Sequence, residues 1–404
     1  MRSPAHPSDR LPAPDSEALA RSGALVALIR DEIHRAGGAI GFDRYMELSL
    51  YAPGLGYYAA PSRKFGAAGD FVTAPEMGPL FGACVATQIE AWLPALSPEI
   101  WEFGAGSGAL AATLLAEFER KGIAVRYRIV EISAHLKARQ RHTIAETVPQ
   151  ALDRVQWHET LPDRINGVVL ANELLDALPV RLFEIGADAS RPVLERVVCS
   201  DPQGAGLMFG ERAADAAFAA SVRERLSLAA WPASQYPPGY RSELGEQATA
   251  WVSSIAERMD RSVMLLIDYG FPASELYHPQ RLQGTLNCHI RHHSHGDPLW
   301  QPGLCDITAH VDFSAIAQAA RAAGLDCLGY GSQASFLLGC DLPAQFAARA
   351  SGDAVAQARL SQQAQMLVSE AEMGELFKVV AFSRGMAEGR LFLTGRDRQA
   401  SIGF

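Results

Sequence analysis

Short apolar runs alternate with helical patterns between residues 100 and 172. The runs are IWEFG, RYRIVEI, VQWHE and GVVLAN, and helix-like spacing of apolar residues covers about Ala109–Lys121 and Ser133–Val148 between them. Strand and helix in alternation at this spacing are typical of βαβ units with a parallel sheet. The pattern therefore predicts an α/β, Rossmann-like core.

The pattern loosens after Pro179 and tightens again near residue 256. Three short strand-like stretches, RLFEI, VLERVVC and GLMFG, and a helix near Gln247–Met259 precede the apolar run SVMLLIDYG. We interpret 181–255 as an insertion before the fifth core strand. Helices near Phe313–Ala323 and Ala354–Glu372 and the strand FKVVAFS would complete the core. The predicted divisions are a disordered tail (1–15), an N-terminal helical and loop segment (16–82), the core in two parts (83–180 and 256–404) and the insertion (181–255).

The N-terminal segment combines one regular and one irregular stretch. Ser16 is expected to cap a helix that runs to about His34, before the pair Gly37 and Gly38. Residues 45–82 are rich in Gly, Pro and aromatic residues and have no sustained period. An irregular segment of this length predicts an active-site loop or lid.

Composition narrows the class of protein. The chain of 404 residues is 48% hydrophobic and 20% charged, which suits a globular protein with a large core. A net charge of −9 argues against general nucleic-acid binding. No apolar stretch is long enough to span a membrane. Six widely spaced cysteines without a C-x-x-C pair favour a reducing compartment, so we expect a cytoplasmic protein.

The strongest chemical signal is a glycine turn between a buried strand and a helix. Glu102 is followed by Phe103 and by the segment Gly104–Gly108, in which glycine occupies alternate positions around Ala105 and Ser107. Glu131 closes the next strand, where a carboxylate can accept hydrogen bonds from both hydroxyls of a ribose. The pattern predicts an adenosine-containing cofactor, and its alternative is that the glycines only tighten a turn.

The spacing selects among adenosine cofactors. Dinucleotide sites usually carry G-x-G-x-x-G, whereas this turn has G-x-G-x-G with the acidic Glu102 before it. A carboxylate there would repel a pyrophosphate but suits the ammonium and sulfonium of S-adenosylmethionine. We therefore predict a methyltransferase.

A cysteine and histidine cluster invites a second interpretation. Residues 288–295 read CHIRHHSH, which are ligand types for zinc. The segment lacks the turn residues that usually accompany metal-binding motifs, so we expect an exposed loop and no metal.

Several motifs together resemble one family. They are YAPGLGYY (51–58), GDFVTAPE (69–76), EFGAGSG (102–108), ANELLDALP (171–179), DYG (268–270) and PLWQPGLCDITAHVDF (298–313). The chain resembles the MidA-like family, whose mitochondrial members are complex I assembly factors and protein arginine methyltransferases. The resemblance implies a class I methyltransferase fold that binds S-adenosylmethionine.

The resemblance also implies roles for particular residues. Gly104, Gly106 and Gly108 would hold the cofactor with Glu131 on its ribose, and Asp70, Thr73 and Glu76 would face its methionine end. Glu102, Ala105 and Ile132 complete the predicted cofactor contacts.

The implied acceptor is an arginine of a protein partner, such as a respiratory-complex subunit. A guanidinium needs carboxylates to orient it, so Glu173 and Asp176, with Asn172, are the predicted catalytic residues. The alternative for these three is helix capping.

One departure from the family keeps other functions open. Many relatives carry Gly-Pro-Gly-Arg-Gly-Thr at the turn, whereas this chain has Gly104-Ala105-Gly106-Ser107-Gly108-Ala109. The altered turn keeps open a methyltransferase for small molecules or for other residues. A non-catalytic assembly or binding protein is a further alternative, of a different class.

Overall fold

The structure, a computed structural model, describes residues 11–60, 73–188, 192–204, 206–386 and 389–404. Most of the predicted N-terminal tail and the predicted cofactor residue Asp70 lie outside these ranges. The helices are α1 Ser16–Arg35, α2 Phe42–Tyr51, α3 Pro79–Trp92, α4 Ala109–Arg120, α5 Ala134–Thr147, α6 Ala216–Leu228, α7 Glu246–Ala256, α8 Ala273–Leu276, α9 Phe313–Ala322, α10 Gln333–Gly339, α11 Leu342–Ala347 and α12 Ala354–Val368.

The strands follow the same chain order. They are β1 Ala39–Gly41, β2 Glu99–Phe103, β3 Arg126–Val130, β4 Val155–His158, β5 Ile165–Asn172, β6 Arg181–Ile185, β7 Val193–Ser200, β8 Leu207–Ala213, β9 Arg241–Leu244, β10 Met259–Phe271, β11 Asn287–Ile290, β12 His293–His295, β13 Asp306–Thr308, β14 Val311–Asp312, β15 Asp326–Ser332 and β16 Phe377–Arg384. A 3₁₀ helix, Ala74–Met77, precedes α3.

The chain divides into two compact units. The first contains the described part of Met1–Phe71 together with Asp176–Thr249 and Phe271–Ala315, and the second contains Val72–Leu175, Ala250–Gly270 and Ile316–Phe404. These units differ from the predicted divisions, because residues 271–315, which we expected in the core, cluster with the N-terminal segment and most of the insertion.

The second unit is built on a mostly parallel sheet. Seven strands of this unit lie in the order β15-β16-β10-β5-β2-β3-β4. β16 is antiparallel to both of its neighbours and the remaining pairs are parallel, so six strands run in one direction. This confirms the predicted α/β fold. The strands predicted from their apolar runs, β2 to β5, β10 and β16, all belong to this sheet.

The core of the second unit explains why the strand prediction succeeds. β5 and β10 are buried along almost their whole length, so their sequences are continuous apolar runs rather than alternating ones. Apolar side chains of α3 and α4, such as Phe81, Ile89 and Leu114, pack with Ile100, Val168 and Leu265 in one hydrophobic cluster.

The first unit contains a five-stranded sheet and a three-stranded sheet. β7 pairs with β1, β6 and β8, and β6 pairs with β9. The predicted irregular stretch 45–82 begins inside α2, where Phe42, Tyr45 and Met46 are buried on one face, so that part of the prediction is wrong. The cap of α1 is Asp15 rather than Ser16, since its carboxylate accepts a hydrogen bond from Ala18 N at 2.8 Å.

The cysteine and histidine segment 288–295 is not an exposed loop, because β11 and β12 form a hairpin in which Cys288 is buried. In the ranges that the structure describes, every helix is too short or too polar to cross a lipid bilayer.

Candidate functional site

The glycine turn joins β2 to α4 in the second unit. Gly104, Gly106 and Gly108 all adopt positive φ angles, of 72°, 52° and 85°. Left-handed backbone at three of five positions is accessible at low cost only to glycine. Gly108 is also the N-cap of α4, so the turn ends where the unpaired N–H groups of that helix begin.

Close packing is one reason why this turn requires glycine. A Cβ atom on Gly108 would lie 2.9 Å from Cα of Gln140, and one on Gly104 would lie 3.0 Å from Cδ1 of Leu174. The turn is therefore pressed between α5 and the segment that follows β5. Close packing, in addition to backbone conformation, therefore favours glycine at these two positions.

Glu131 lies directly after β3 with its carboxylate held from both sides. It is 9% exposed, and Oε1 accepts a hydrogen bond from Ser133 N at 2.8 Å while Oε2 accepts one from Gln140 Nε2 at 3.2 Å. Burial raises the pKa of this carboxyl group, and the bonds from Ser133 and Gln140 oppose that rise. The next residue, Ile132, is 75% exposed, which is unusual for a large apolar side chain.

Glu76 contacts the glycine turn directly. Ser107 Oγ donates a hydrogen bond to Glu76 Oε1, and the 3₁₀ helix that carries Glu76 packs near α4. Thr73 is the N-cap residue immediately before this helix, and its carbonyl oxygen accepts a hydrogen bond from Glu76 N at 3.0 Å. The structure thus brings Glu76, which only the family resemblance had identified, to the predicted turn.

Glu102 is placed differently from the other predicted carboxylates. It lies in β2, is 2% exposed and accepts a hydrogen bond from Tyr127 OH at 2.8 Å. Burial raises its pKa to about 7, an effect that the bond from Tyr127 partly offsets. Glu102 is therefore a carboxylate inside the sheet whose charged form would gain from a nearby cation.

Asn172 and Glu173 form a sharp corner at the carboxyl end of β5. Glu173 has a φ of 51°, its N–H donates to Ile267 O at 2.9 Å, and its Oε1 accepts a hydrogen bond from Asn172 Nδ2 at 3.0 Å. No described residue supplies a hydrogen bond to the buried Oδ1 of Asn172. Residues 173–180 form turns and bends rather than a helix, so the helix-capping alternative is wrong.

Asp176 belongs to the first unit. It is buried, and its carbonyl oxygen accepts a hydrogen bond from Ala309 N at 3.0 Å. Its charge, together with that of Asp306, raises the pKa of Tyr58, although burial is the largest cause of that rise.

Two residues that the sequence did not single out organise the site. Asp268, on β10, is 1% exposed, and its Oδ2 accepts hydrogen bonds from Leu174 N at 3.1 Å and Leu175 N at 2.8 Å. Gln140, on α5, donates to both Glu131 and Gly106 O. The motif DYG (268–270) was the available signal for Asp268, but neither residue carries a local pattern that indicates its distant partners.

The cysteine and histidine cluster has a structural explanation. His295 Nδ1 accepts a hydrogen bond from Asp297 N, so the proton of the neutral ring lies on Nε2, 3.5 Å from Cys305 Sγ. Burial lowers the pKa of His295, which favours this neutral ring. Among the described residues, no three His, Cys, Asp or Glu side chains are grouped to hold a metal ion.

The strand order and the glycine turn after β2 are those of an α/β, Rossmann-like methyltransferase core. Residues 81–331 match the model of a family described as "Putative S-adenosyl-L-methionine-dependent methyltransferase". The chain belongs to this family, the MidA-like S-adenosylmethionine-dependent methyltransferases.

Curated relatives and a solved structure agree with this assignment. Protein arginine methyltransferase NDUFAF7, mitochondrial, of Danio rerio is 30% identical over 85% of this chain and 83% of its own length. The Drosophila melanogaster homolog is 29% identical over 98% and 92%. The crystal structure of a protein from Burkholderia thailandensis, bound to S-adenosyl-homocysteine, has a TM-score of 0.91 to this chain. That protein is 45% identical, and the match covers 97% of this chain and 100% of that chain.

These comparisons confirm the predicted enzyme class and its cofactor, S-adenosyl-L-methionine. They contradict the predicted cytoplasmic location, because the curated relatives are named as mitochondrial proteins. The residues of the second unit fit the cofactor. Glu131 offers a buried carboxylate for a ribose, Ile132 offers an exposed apolar side chain, and Asn172 Oδ1 lacks a hydrogen-bond donor among the described residues.

Proposed function

We propose that the chain methylates an arginine side chain of a protein partner. The observation that carries this proposal is the placement of two polar groups at one sheet edge of the second unit, with Glu131 after β3 and the Asn172–Glu173 corner after β5. β2 and its glycine turn lie between them. A cofactor anchored at Glu131 and crossing the turn would present its reactive end toward the corner.

Each part of the cofactor has a proposed partner in this unit. Glu131 accepts hydrogen bonds from the ribose hydroxyls, and Ile132 packs on the adenine face. The glycine turn, including Ala105, allows close approach of the backbone, and Glu76 attracts the ammonium of the methionine end with Thr73 and Asp70 nearby in sequence. Glu102 adds negative charge behind the turn.

Glu173 and Asn172 are proposed to hold the acceptor. Bound S-adenosylmethionine supplies an electrophilic methyl group. The carboxylate of Glu173 would pair with the guanidinium, hold one nitrogen in line with that group and keep positive charge on the other nitrogens. Asp176, three residues further along the chain, is proposed as a second carboxylate on sequence grounds. The names of the curated relatives support arginine as the acceptor, and a role in complex I assembly, which the family resemblance implies, belongs to the same proposal.

The acceptor can be tested by following a labelled methyl group. Purified protein is incubated with tritiated S-adenosylmethionine and a cell lysate, and proteins are separated from lipids and small solutes before acid hydrolysis. We expect label in methylated arginine. Label confined to small solutes or to other amino acids would replace arginine with another acceptor. Cofactor binding without any transfer would favour an assembly protein.

Removing the carboxylate of Glu131 should weaken cofactor binding. We expect Glu131→Ala to raise the Kd for S-adenosyl-homocysteine by about 30-fold, because hydrogen bonds from a ribose to a charged, buried acceptor are lost. Isothermal titration calorimetry measures the change. The control is Glu146→Gln, which alters an exposed carboxylate on α5 and should leave the Kd unchanged.

Cofactor affinity should also fall on acidification. Only the ionised carboxylate of Glu131 accepts from both ribose hydroxyls, and the pKa of this group in the free protein is raised above its ordinary value by burial. The affinity for the cofactor should therefore be highest above that pKa and decline as the pH falls through it. Titrations at several pH values should show a steeper decline in the native protein than in Glu131→Gln, in which Glu102, whose pKa burial raises to about 7, still titrates.

A further inference from the structure

Gln140 is a buried polar side chain that bonds both Glu131 and the glycine turn. It is 0% exposed on α5 and makes hydrogen bonds to three different elements of the second unit. Nε2 donates to Gly106 O and to Glu131 Oε2, at 3.2 Å each, and Oε1 accepts from Trp157 Nε1 at 2.9 Å. One amide therefore connects the glycine turn, the residue after β3 and β4.

The chemistry of these partners fixes the orientation of the amide. An indole N–H can only donate, whereas a backbone carbonyl and an ionised carboxylate can only accept. With Oε1 toward Trp157 and Nε2 toward Gly106 and Glu131, all three bonds form. A flipped amide would place its NH₂ against the indole N–H and its oxygen against two acceptors, so all three bonds would be lost.

We propose that Gln140 is a positioning residue that holds the Glu131 carboxylate in register with the glycine turn for the cofactor ribose. This inference rests on the proposed role of Glu131. A carboxylate at the end of a strand could rotate about its side-chain bonds, and the hydrogen bonds to Oε1 and Oε2 remove that freedom before the cofactor arrives. Preorganisation of this kind raises affinity by reducing the entropy lost on binding.

A purely structural role predicts a different dependence. Gln140 also packs against Gly108, so its loss could lower stability without any link to the ribose contact. If Gln140 acts through Glu131, its effect on cofactor affinity must disappear once the carboxylate is removed. If it acts only through packing, the effect must persist. A double-mutant cycle measures this difference.

The test is calorimetric titration of S-adenosyl-homocysteine into the full chain. Gln140→Met keeps the length of the side chain and removes both donors, and we expect the Kd to rise about tenfold. In the Glu131→Ala background the same substitution should change the Kd by less than about twofold. Gln88→Met is the matched control, because Gln88 is an equally buried helical glutamine that bonds Arg390 O and Phe392 N. It should leave the Kd unchanged.

A second variant covers the case in which Gln140→Met does not fold. Trp157→Phe leaves Gln140 in place but removes the donor that orients its amide, and it should raise the Kd about threefold in the native background only. Equal losses with and without the Glu131 carboxylate would overturn the positioning role. Failure of Glu131→Ala to weaken binding would instead contradict the proposed ribose site.

Discussion

Replacing Glu173 with glutamine should lower methyl transfer into protein by about two orders of magnitude and leave cofactor affinity within about twofold. The substitution preserves the shape of the side chain and its contact with Asn172 Nδ2, because an amide oxygen can still accept that bond. What is lost is the negative charge that would pair with the acceptor guanidinium. Transfer of tritiated methyl into protein arginine and titration with S-adenosyl-homocysteine measure the two quantities on one preparation.

Two comparisons make this result specific. Glu146→Gln removes an exposed carboxylate on α5 and should change neither quantity. Glu131→Ala should show the opposite result to Glu173→Gln, because its main effect should be a loss of cofactor affinity. A parallel fall of affinity in Glu173→Gln would contradict the division of roles between β3 and β5. Full transfer activity in that variant would exclude Glu173 from the acceptor site.

The sequence predicted those parts of the fold that depend on local pattern. β2, β5 and β10 are buried, so their apolar runs identified them without any tertiary information. The glycine turn was also recognisable in the sequence. Three of its five residues have left-handed backbone, and such backbone favours glycine at each of these positions. Ligands of open α/β sheets bind beyond the carboxyl ends of the strands, so Glu131 and the corner at Asn172 could be predicted as site residues.

What the sequence could not predict depends on contacts between distant segments. Gln140 is an ordinary helix residue until α5 lies against Gly108 and β4 supplies Trp157. The corner after β5 resembled the start of a helix because it is acidic, yet Glu173 adopts a left-handed backbone and no helix follows. The cysteines and histidines near residue 290 suggested a metal site or a loop, and antiparallel pairing with β13 made them part of a small sheet.

The two halves of the site share a method of support. Glu131 accepts a hydrogen bond from Gln140 on a neighbouring helix, and Leu174 and Leu175, which follow the Asn172–Glu173 corner, donate to Asp268 on a neighbouring strand. The glycine turn after β2 lies between them, and Leu174, the residue after the corner, has its Cδ1 3.0 Å from where a Cβ atom on Gly104 would be. Glu131 and Glu173 lie just beyond the ends of strands, whereas Gln140 lies on a helix and Asp268 lies on a strand. This arrangement gives flexible positions a defined geometry.

Asp268→Ala should be among the most destabilising single substitutions in the second unit, at about 4 kcal/mol. The buried carboxylate accepts hydrogen bonds from three backbone N–H groups, those of Leu174, Leu175 and Tyr269. Alanine leaves these donors without their buried acceptor, and an unsatisfied buried donor costs about 1–3 kcal/mol. Urea denaturation should show the loss as a lowered midpoint.

Asp268→Asn separates stability from the shape of the corner. Its amide oxygen can still accept from Leu174 and Leu175, so we expect a loss of only about 1–2 kcal/mol. Asp397→Ala is the control, because Asp397 also accepts two backbone N–H groups, from Tyr330 and Gln399, but is half-buried and forms no part of the corner. It should cost about 1–2 kcal/mol and leave methyl transfer intact. If Asp268→Ala were no more destabilising than this control, Asp268 would not be what holds the Asn172–Glu173 corner.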